Sequence, residues 1–140
     1  MNEAVKFHFH VDGEDFTSAG QASVQVKKNL RQLGIAPEII RKVSIAMYEG
    51  EINMVIHAGG GEADVMIYED RIEIILDDNG PGIANIDLAM QEGFSTAPDN
   101  IRSLGFGAGM GLPNMKRYTD DMKIKSELGK GTRIVMTVRL

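Results

Sequence analysis

Val5, Phe7, Phe9 and Val11 alternate with Lys6, His8 and His10. That two-residue period belongs to a strand with one buried face. His8 and His10 share the polar side, and with no third ligand nearby they read as solvated strand positions rather than a metal site. Further along, Ala19, Ala22, Val26, Leu30 and Leu33 recur at helical spacing. Thr17 or Ser18 is suited to cap that helix and Gly34 to end it. A second helix is expected over 37–58, with Pro37 in its first turn and Gly59 to Gly61 as the stop. Its apolar face is Ile39, Ile40, Val43, Ala46 and Met47. Two alternating runs follow, Ala63, Val65, Ile67 and then Ile72, Ile74, Leu76, joined by a tight turn at Glu69 and Asp70. Residues 80–111 show neither period, and an irregular segment of that length in a small domain is usually a functional lid or disordered. A short helix over 112–118 and two strands over 122–127 and 132–138 close the chain.

This order, with few helices and with late strands adjacent in sequence, predicts an α+β fold. The expected architecture is a two-layer sandwich: a mainly antiparallel mixed sheet with helices on one face. A length of 140 residues suits one domain spanning 1–140. The net charge of −5 leaves no basic stripe for phosphate backbones, so no nucleic-acid partner is expected. With no cysteine in the chain, disulfides, thiolate catalysis and cysteine-ligated metals are excluded. The N-terminus lacks the basic and apolar regions of a signal peptide, and no apolar run approaches the ~20 residues of a membrane span. No membrane partner is expected and the cytoplasm is the expected location.

Candidate chemistry interrupts the second helix at Tyr48-Glu49-Gly50-Glu51-Ile52-Asn53. A glycine costs about 1 kcal/mol in a helix interior relative to alanine, so the insertion calls for a reason. Glu49, Asn53 and His57 stand at i, i+4 and i+8, one slowly drifting stripe, while Glu51 points elsewhere. A carboxylate beside a neutral oxygen donor suits Mg²⁺, which shares its shell with water and substrate phosphates. A solvated polar face, with the glycine admitting a neighbouring strand, is the competing reading of this helix taken alone.

Further pieces follow in order. Asp77-Asp78-Asn79-Gly80-Pro81-Gly82-Ile83 runs off a strand end into a tight turn, where Asp78 can present a carboxylate to an exocyclic amine. Gly105, Gly107, Gly109 and Gly111 lead into a helix start, an arrangement suited to cradling phosphate with backbone N–H groups. No G-K-[ST] closes it as a P-loop, and no dinucleotide fingerprint is present. Gly129 to Thr132, "GKGT", stands between the last two strands and by itself reads as a hairpin turn.

Together these pieces resemble the ATP-binding fold shared by gyrase, Hsp90, sensor histidine kinases and MutL. Glu49-x-x-x-Asn53 looks like its N box, Asp78-x-Gly80-x-Gly82 its first glycine box, the Gly107 to Gly111 run its second, and Gly129-x-Gly131-Thr132 its last. Gly50 and Met54 stand where related N boxes commonly carry alanines. The small size and the stretch from Gly93 to Thr132 are similar to the anti-sigma-factor and stressosome-switch serine kinases.

The resemblance implies ATP and Mg²⁺ as cofactors. Asn53 would coordinate the metal. Asp78 would accept the adenine amino hydrogen, with Gly80 in its turn and Gly82 and Thr132 beside the base. Gly107, Gly109 and Gly111 would cradle phosphates under a mobile lid over 86–109. Glu49 would orient or deprotonate an attacking serine hydroxyl. Lys116 or Arg117 is placed either to neutralise phosphate charge or simply on the surface. The implied partner is a STAS-type anti-sigma-factor antagonist, with a sigma factor or a phosphatase as further partners and a homodimer as one allowed assembly. Two other readings remain open at this point: an ATP-gated anti-sigma binding module, and the catalytic domain of a split histidine kinase.

Overall fold

The computed structural model describes residues 4–13, 19–83, 86, 90 and 111–140. Its elements are β1 (Val5–Asp12), α1 (Gln21–Gln32), α2 (Pro37–Ala58), β2 (Gly60–Ile67), β3 (Arg71–Asp78), α3 (Gly111–Arg117), β4 (Asp121–Glu127) and β5 (Gly131–Arg139). The strands form one five-stranded sheet in the order β1-β2-β3-β5-β4. Every pair is antiparallel. This is the expected α+β sandwich.

Period-two alternation sets which face each strand buries. Val65, Ile72, Ile74, Met136 and Val138 are fully buried. They meet Val26 and Leu30 of α1 and Val43 and Met47 of α2 in one core. The alternate positions, including His8, His10, Lys123, Lys125 and Arg133, are exposed. His8 and His10 are more than solvated: His8 Nδ1 lies 2.6 Å from Asp64 Oδ1, and His10 Nδ1 lies 2.8 Å from Glu62 Oε1. The register that places His8 opposite Asp64 and His10 opposite Glu62 makes these contacts.

Helix ends follow backbone chemistry. Gly34 (φ 75°) and Gly59 (φ 71°) adopt the left-handed conformation just past α1 and α2. Gly60 and Gly61 do not extend the stop but already belong to β2. The start of α1 differs from expectation. Its N-cap is Gly20, with no capping side chain of its own, and Ala19 precedes the helix; Thr17 and Ser18 lie outside the described residues. The acceptor that a local Ser or Thr would provide comes from α2. Buried Glu51 accepts the N–H groups of Gly20 (2.8 Å), Ala22 (3.2 Å) and Ser23 (3.1 Å) and the Ser23 hydroxyl (2.8 Å). Gly50 has an equally local reason. A Cβ there would lie 2.2 Å from Leu76 Cδ1 of β3, so the glycine admits the sheet against α2.

Candidate functional site

The polar stripe of α2 faces α3. Glu49 and Asn53 are half-buried on it. Burial pushes the Glu49 carboxyl above its usual range, and a hydrogen bond from the Asn114 side chain pulls it part of the way back. Asn53 Nδ2 contacts Met115 Sδ at 3.9 Å, and no described residue bonds its carbonyl oxygen. Gly111, the first residue of α3, lies against the same amide. A Cβ on Gly111 would come within 2.7 Å of Asn53 Nδ2 and 2.9 Å of Oδ1. The N box and the end of the glycine run therefore meet at one place. His57 is partly buried on the same stripe, and burial lowers its pKa. Lys116 and Arg117 are exposed.

A second cluster forms where β3 and β5 end together. The register sets Asp78 opposite Thr132. Asp78 Oδ1 accepts the N–H of Gly80 (3.0 Å) and of Thr132 (3.1 Å). No described residue bonds Oδ2. Gly82 has φ 80°, and a Cβ there would strike the Glu127 carbonyl at 2.5 Å; only glycine fits that turn. Ser126 of β4 ties the cluster together. Its Oγ accepts the Ile83 N–H at 2.7 Å, lies 2.9 Å from Thr132 Oγ1, and lies 3.2 Å from the Gly131 carbonyl. The two clusters are joined through Gly80, where a Cβ would meet Ala58 of α2 at 2.7 Å. Ala58 is five residues along α2 from Asn53, about 7.5 Å of helix rise.

Of the site residues read from the sequence, Glu49, Asn53 and Gly111 come together, as do Asp78, Gly80, Gly82 and Thr132. Gly107, Gly109 and nearly all of the expected lid lie outside the described residues. Sequence reasoning missed Asn114, Ser126 and Glu51. Asn114 follows the glycine run by three positions, and Ser126 precedes Gly129 by three. Their proximity to motifs was the one available signal.

The arrangement fits a nucleotide. Asp78 offers a carboxylate oxygen beside a buried hydroxyl, and Asn53 offers an amide oxygen where glycine leaves space. Among the described residues, no group of three or more His, Cys, Asp or Glu side chains is set to hold a metal ion. A cation here would be held through Asn53, phosphate and water.

The model of the histidine kinase-, DNA gyrase B- and HSP90-like ATPase family matches residues 41–140. The chain belongs to this family. It is 35% identical over 137 residues to an anti-sigma F factor of Clostridium acetobutylicum, covering 94% of this chain and 89% of that one. It is 33% identical over 118 residues to the serine/threonine-protein kinase RsbT of Bacillus subtilis, covering 81% and 83%. Among solved structures, the RsbU and RsbW domains of a Mycobacterium tuberculosis protein align with TM-score 0.67 at 17% identity, over 97% of this chain and 32% of that one. The mycobacterial sensor histidine kinase MprB aligns at 0.55 and 17%, over 96% and 97%. These structural likenesses concern the fold. The match over 41–140 includes Glu49, Asn53, Asp78 and Thr132, so both clusters fall inside the family's ATPase region. Among the described residues, no helix is long and apolar enough to cross a membrane.

Proposed function

We propose that this family member is a Mg-ATP-dependent serine/threonine protein kinase of the anti-sigma and stressosome-switch type, acting on a STAS-type antagonist protein in bacterial transcriptional regulation. The observation that carries the reading is Glu49: a half-buried carboxylate, raised by burial, held by Asn114 and one helical turn from Asn53. Phosphoryl transfer needs positioning and charge neutralisation more than covalent chemistry. Asp78 would take the adenine amino hydrogen on its second oxygen, with Gly80, Gly82 and Thr132 forming the wall beside the base. Asn53 would hold Mg²⁺, which supplies charge neutralisation at the phosphates. Gly107 and Gly109, with Gly111, would supply the phosphate cradle. Glu49 would take the proton of the acceptor hydroxyl as its oxygen bonds the γ-phosphorus and the bond to the leaving ADP oxygen breaks. Similarity to a relative named as a serine/threonine kinase supports the class.

The test is transfer of label from Mg-ATP to a co-encoded STAS-type protein. Acid-stable label is expected, reduced by about 100-fold or more in Glu49→Gln with ATP binding retained, and lost with metal dependence in Asn53→Ala. Undiminished transfer by Glu49→Gln would end that residue's role. Acid-labile label would move the chain to the histidine kinases.

A second reading has its own support in the relatives named as anti-sigma F factors. In it, ATP sets the shape of a module that binds a sigma factor and catalysis is secondary. Nucleotide-dependent capture of a purified sigma factor at micromolar concentration would favour it, and both activities can reside in one protein. A phosphatase partner and a homodimer belong to the same proposal, as does action in the cytoplasm.

A further inference from the structure

The strands turn Val65, Ile74 and Met136 toward the helices. Their alternate positions form the opposite face of the sheet. The register lines these positions up in rows across β2, β3, β5 and β4. One row runs Glu62, Asp77, Arg133, Lys125; the next runs Asp64, Ile75, Val135, Lys123. Charge is divided along both rows. Acids stand on β2 and β3, cations on β5 and β4, and the half-buried pair Ile75 and Val135 lies at the boundary.

Solubility alone does not account for this pattern. A face that only has to meet water is served by interspersed charges of both signs. Here Arg133 and Asp77, at 2.9 Å, pair across the boundary, while Lys123 and Lys125 pair with no described acid. Lysines on the edge strand β4 discourage pairing along that edge, but they explain neither the acids on the other half nor the apolar pair between them. An apolar centre with charged flanks is the anatomy of an interface.

The charge division also selects the occupant. A second copy stacked face to face is related by a two-fold axis lying between the two sheets. With that axis across the strands, each strand lies over itself and acids meet acids. With the axis along the strands, between β3 and β5, β3 lies over β5 and β2 over β4 of the second copy. Asp77 then meets Arg133, Asp64 meets Lys123, Glu62 meets Lys125 and Ile75 meets Val135. The third row, Met66, Glu73, Thr137 and Asp121, brings no like charges together. Aligned sheets pack about 10 Å apart with a crossing of about 30°, a gap that long lysine and arginine side chains can span.

We infer that the helix-free face of the sheet is the surface through which two copies of this chain pair. Four strands about 4.8 Å apart, with seven residues in β4 at about 3.3 Å each, give a footprint of roughly 400 Å² on each copy. That is about half of a standard interface's ~800 Å² per partner, so the dimer is reversible in the micromolar range. Both clusters of the candidate site lie on the other side of the sheet and stay open. This gives the homodimer proposed above a surface. It is argued from the sheet alone and read without nucleotide, so it stands or fails apart from the kinase reading.

The test is sedimentation equilibrium of the full chain from 1 to 300 μM, ranges chosen on the order of the expected dissociation constant. A monomer–dimer equilibrium is expected, weakened about tenfold between low and high salt. Lys123→Glu with Lys125→Glu should weaken self-association by about 100-fold or more, and Glu62→Lys with Asp64→Lys should do the same, since each reversal sets like charges face to face. Mixing the two variants should restore the dimer, because the acids of one then meet the retained lysines of the other. Thermal melts establish that each variant is folded; should a double variant not fold, the single pair Lys125→Glu and Glu62→Lys makes the same comparison. A wild-type chain that stays monomeric throughout would overturn the inference. So would variants that dimerise as the wild type does, which would place pairing on another face, or folded variants whose mixture stays monomeric.

Discussion

The Glu49 carboxyl titrates above its usual range because burial penalises its charged form, while the hydrogen bond from Asn114 favours that form. A general base works only when deprotonated. Activity limited by Glu49 therefore falls as pH drops through its raised pKa, so the acid limb of the rate profile should lie above the ordinary carboxylate value of 4.5. Asn114→Ala removes the contact that lowers the pKa and leaves the burial. The limb should then move to higher pH, with transfer little changed well above it. A pH profile of single-turnover transfer checks both statements. A limb that stays put in Asn114→Ala would mean that another group sets it. Gly111 allows a second residue-level prediction. In Gly111→Ala the new methyl would press on the Asn53 amide at under 3 Å, displacing the proposed metal ligand. Affinity for Mg-ATP should fall about tenfold, or ~1.4 kcal/mol, as read by calorimetry. Affinity for metal-free nucleotide should change less.

At the scale of elements, the two carboxylates of Glu49-Gly50-Glu51 divide their work. Glu49 faces α3, and Glu51 faces the start of α1 as its cap. Losing an ordinary N-cap costs about 1–2 kcal/mol. Glu51→Ala would strand more than one buried donor at once, so a loss of about 3 kcal/mol is expected, at the upper end for a single orphaned buried group. Denaturant unfolding should show a lower midpoint with an unchanged slope; a shift no larger than that of an exposed Glu→Ala would refute the capping role. This division also shows what a sequence can reveal. Strands were legible because a buried face writes period two into the chain, and α2 because Pro37 and Gly59 punctuate it. The stripe of Glu49 and Asn53 was legible because helical spacing alone brings those residues together. Glu51 was legible only as pointing away from that stripe. Its partners lie 28 to 31 residues back, and no local rule links a helix start to a carboxylate on another helix. Ser126 stayed hidden for the same reason, since its turn partner Ile83 is 43 residues distant. Asp78 and Thr132 were paired only through the resemblance; their contact depends on β3 and β5 being neighbours.

Across the whole molecule, the sheet separates two kinds of electrostatics. The helix-covered side and its strand ends hold the half-buried groups proposed for nucleotide chemistry, while β1 and β2 carry an exposed ionic cluster on the other side. Among the described residues, β1 is an edge strand whose one sheet neighbour is β2. The charged and titratable groups around His8 are Lys6 and His10 on β1 and Glu62 and Asp64 on β2. The Asp64 hydrogen bond, with help from Glu62, raises the His8 pKa above its ordinary 6.5. The His10 hydrogen bond, with help from His8, lowers that of Glu62 below its ordinary 4.5. The two signs define a window. Stabilisation from His8 is fully present below 6.5 and is lost as pH rises through the raised value in the folded state. Stabilisation from Glu62 is present above 4.5 and is lost as pH falls through its lowered value. Between those limits both groups are charged and β1 is held most firmly. Because the cluster faces solvent, the effect is small and sensitive to salt. His8→Gln should lower the melting temperature within the window and leave it nearly unchanged on the alkaline side, with the difference shrinking in high salt. Thermal melts across the pH range measure this directly. A penalty that stays constant through the alkaline side would show that His8 contributes by strand packing and not by charge.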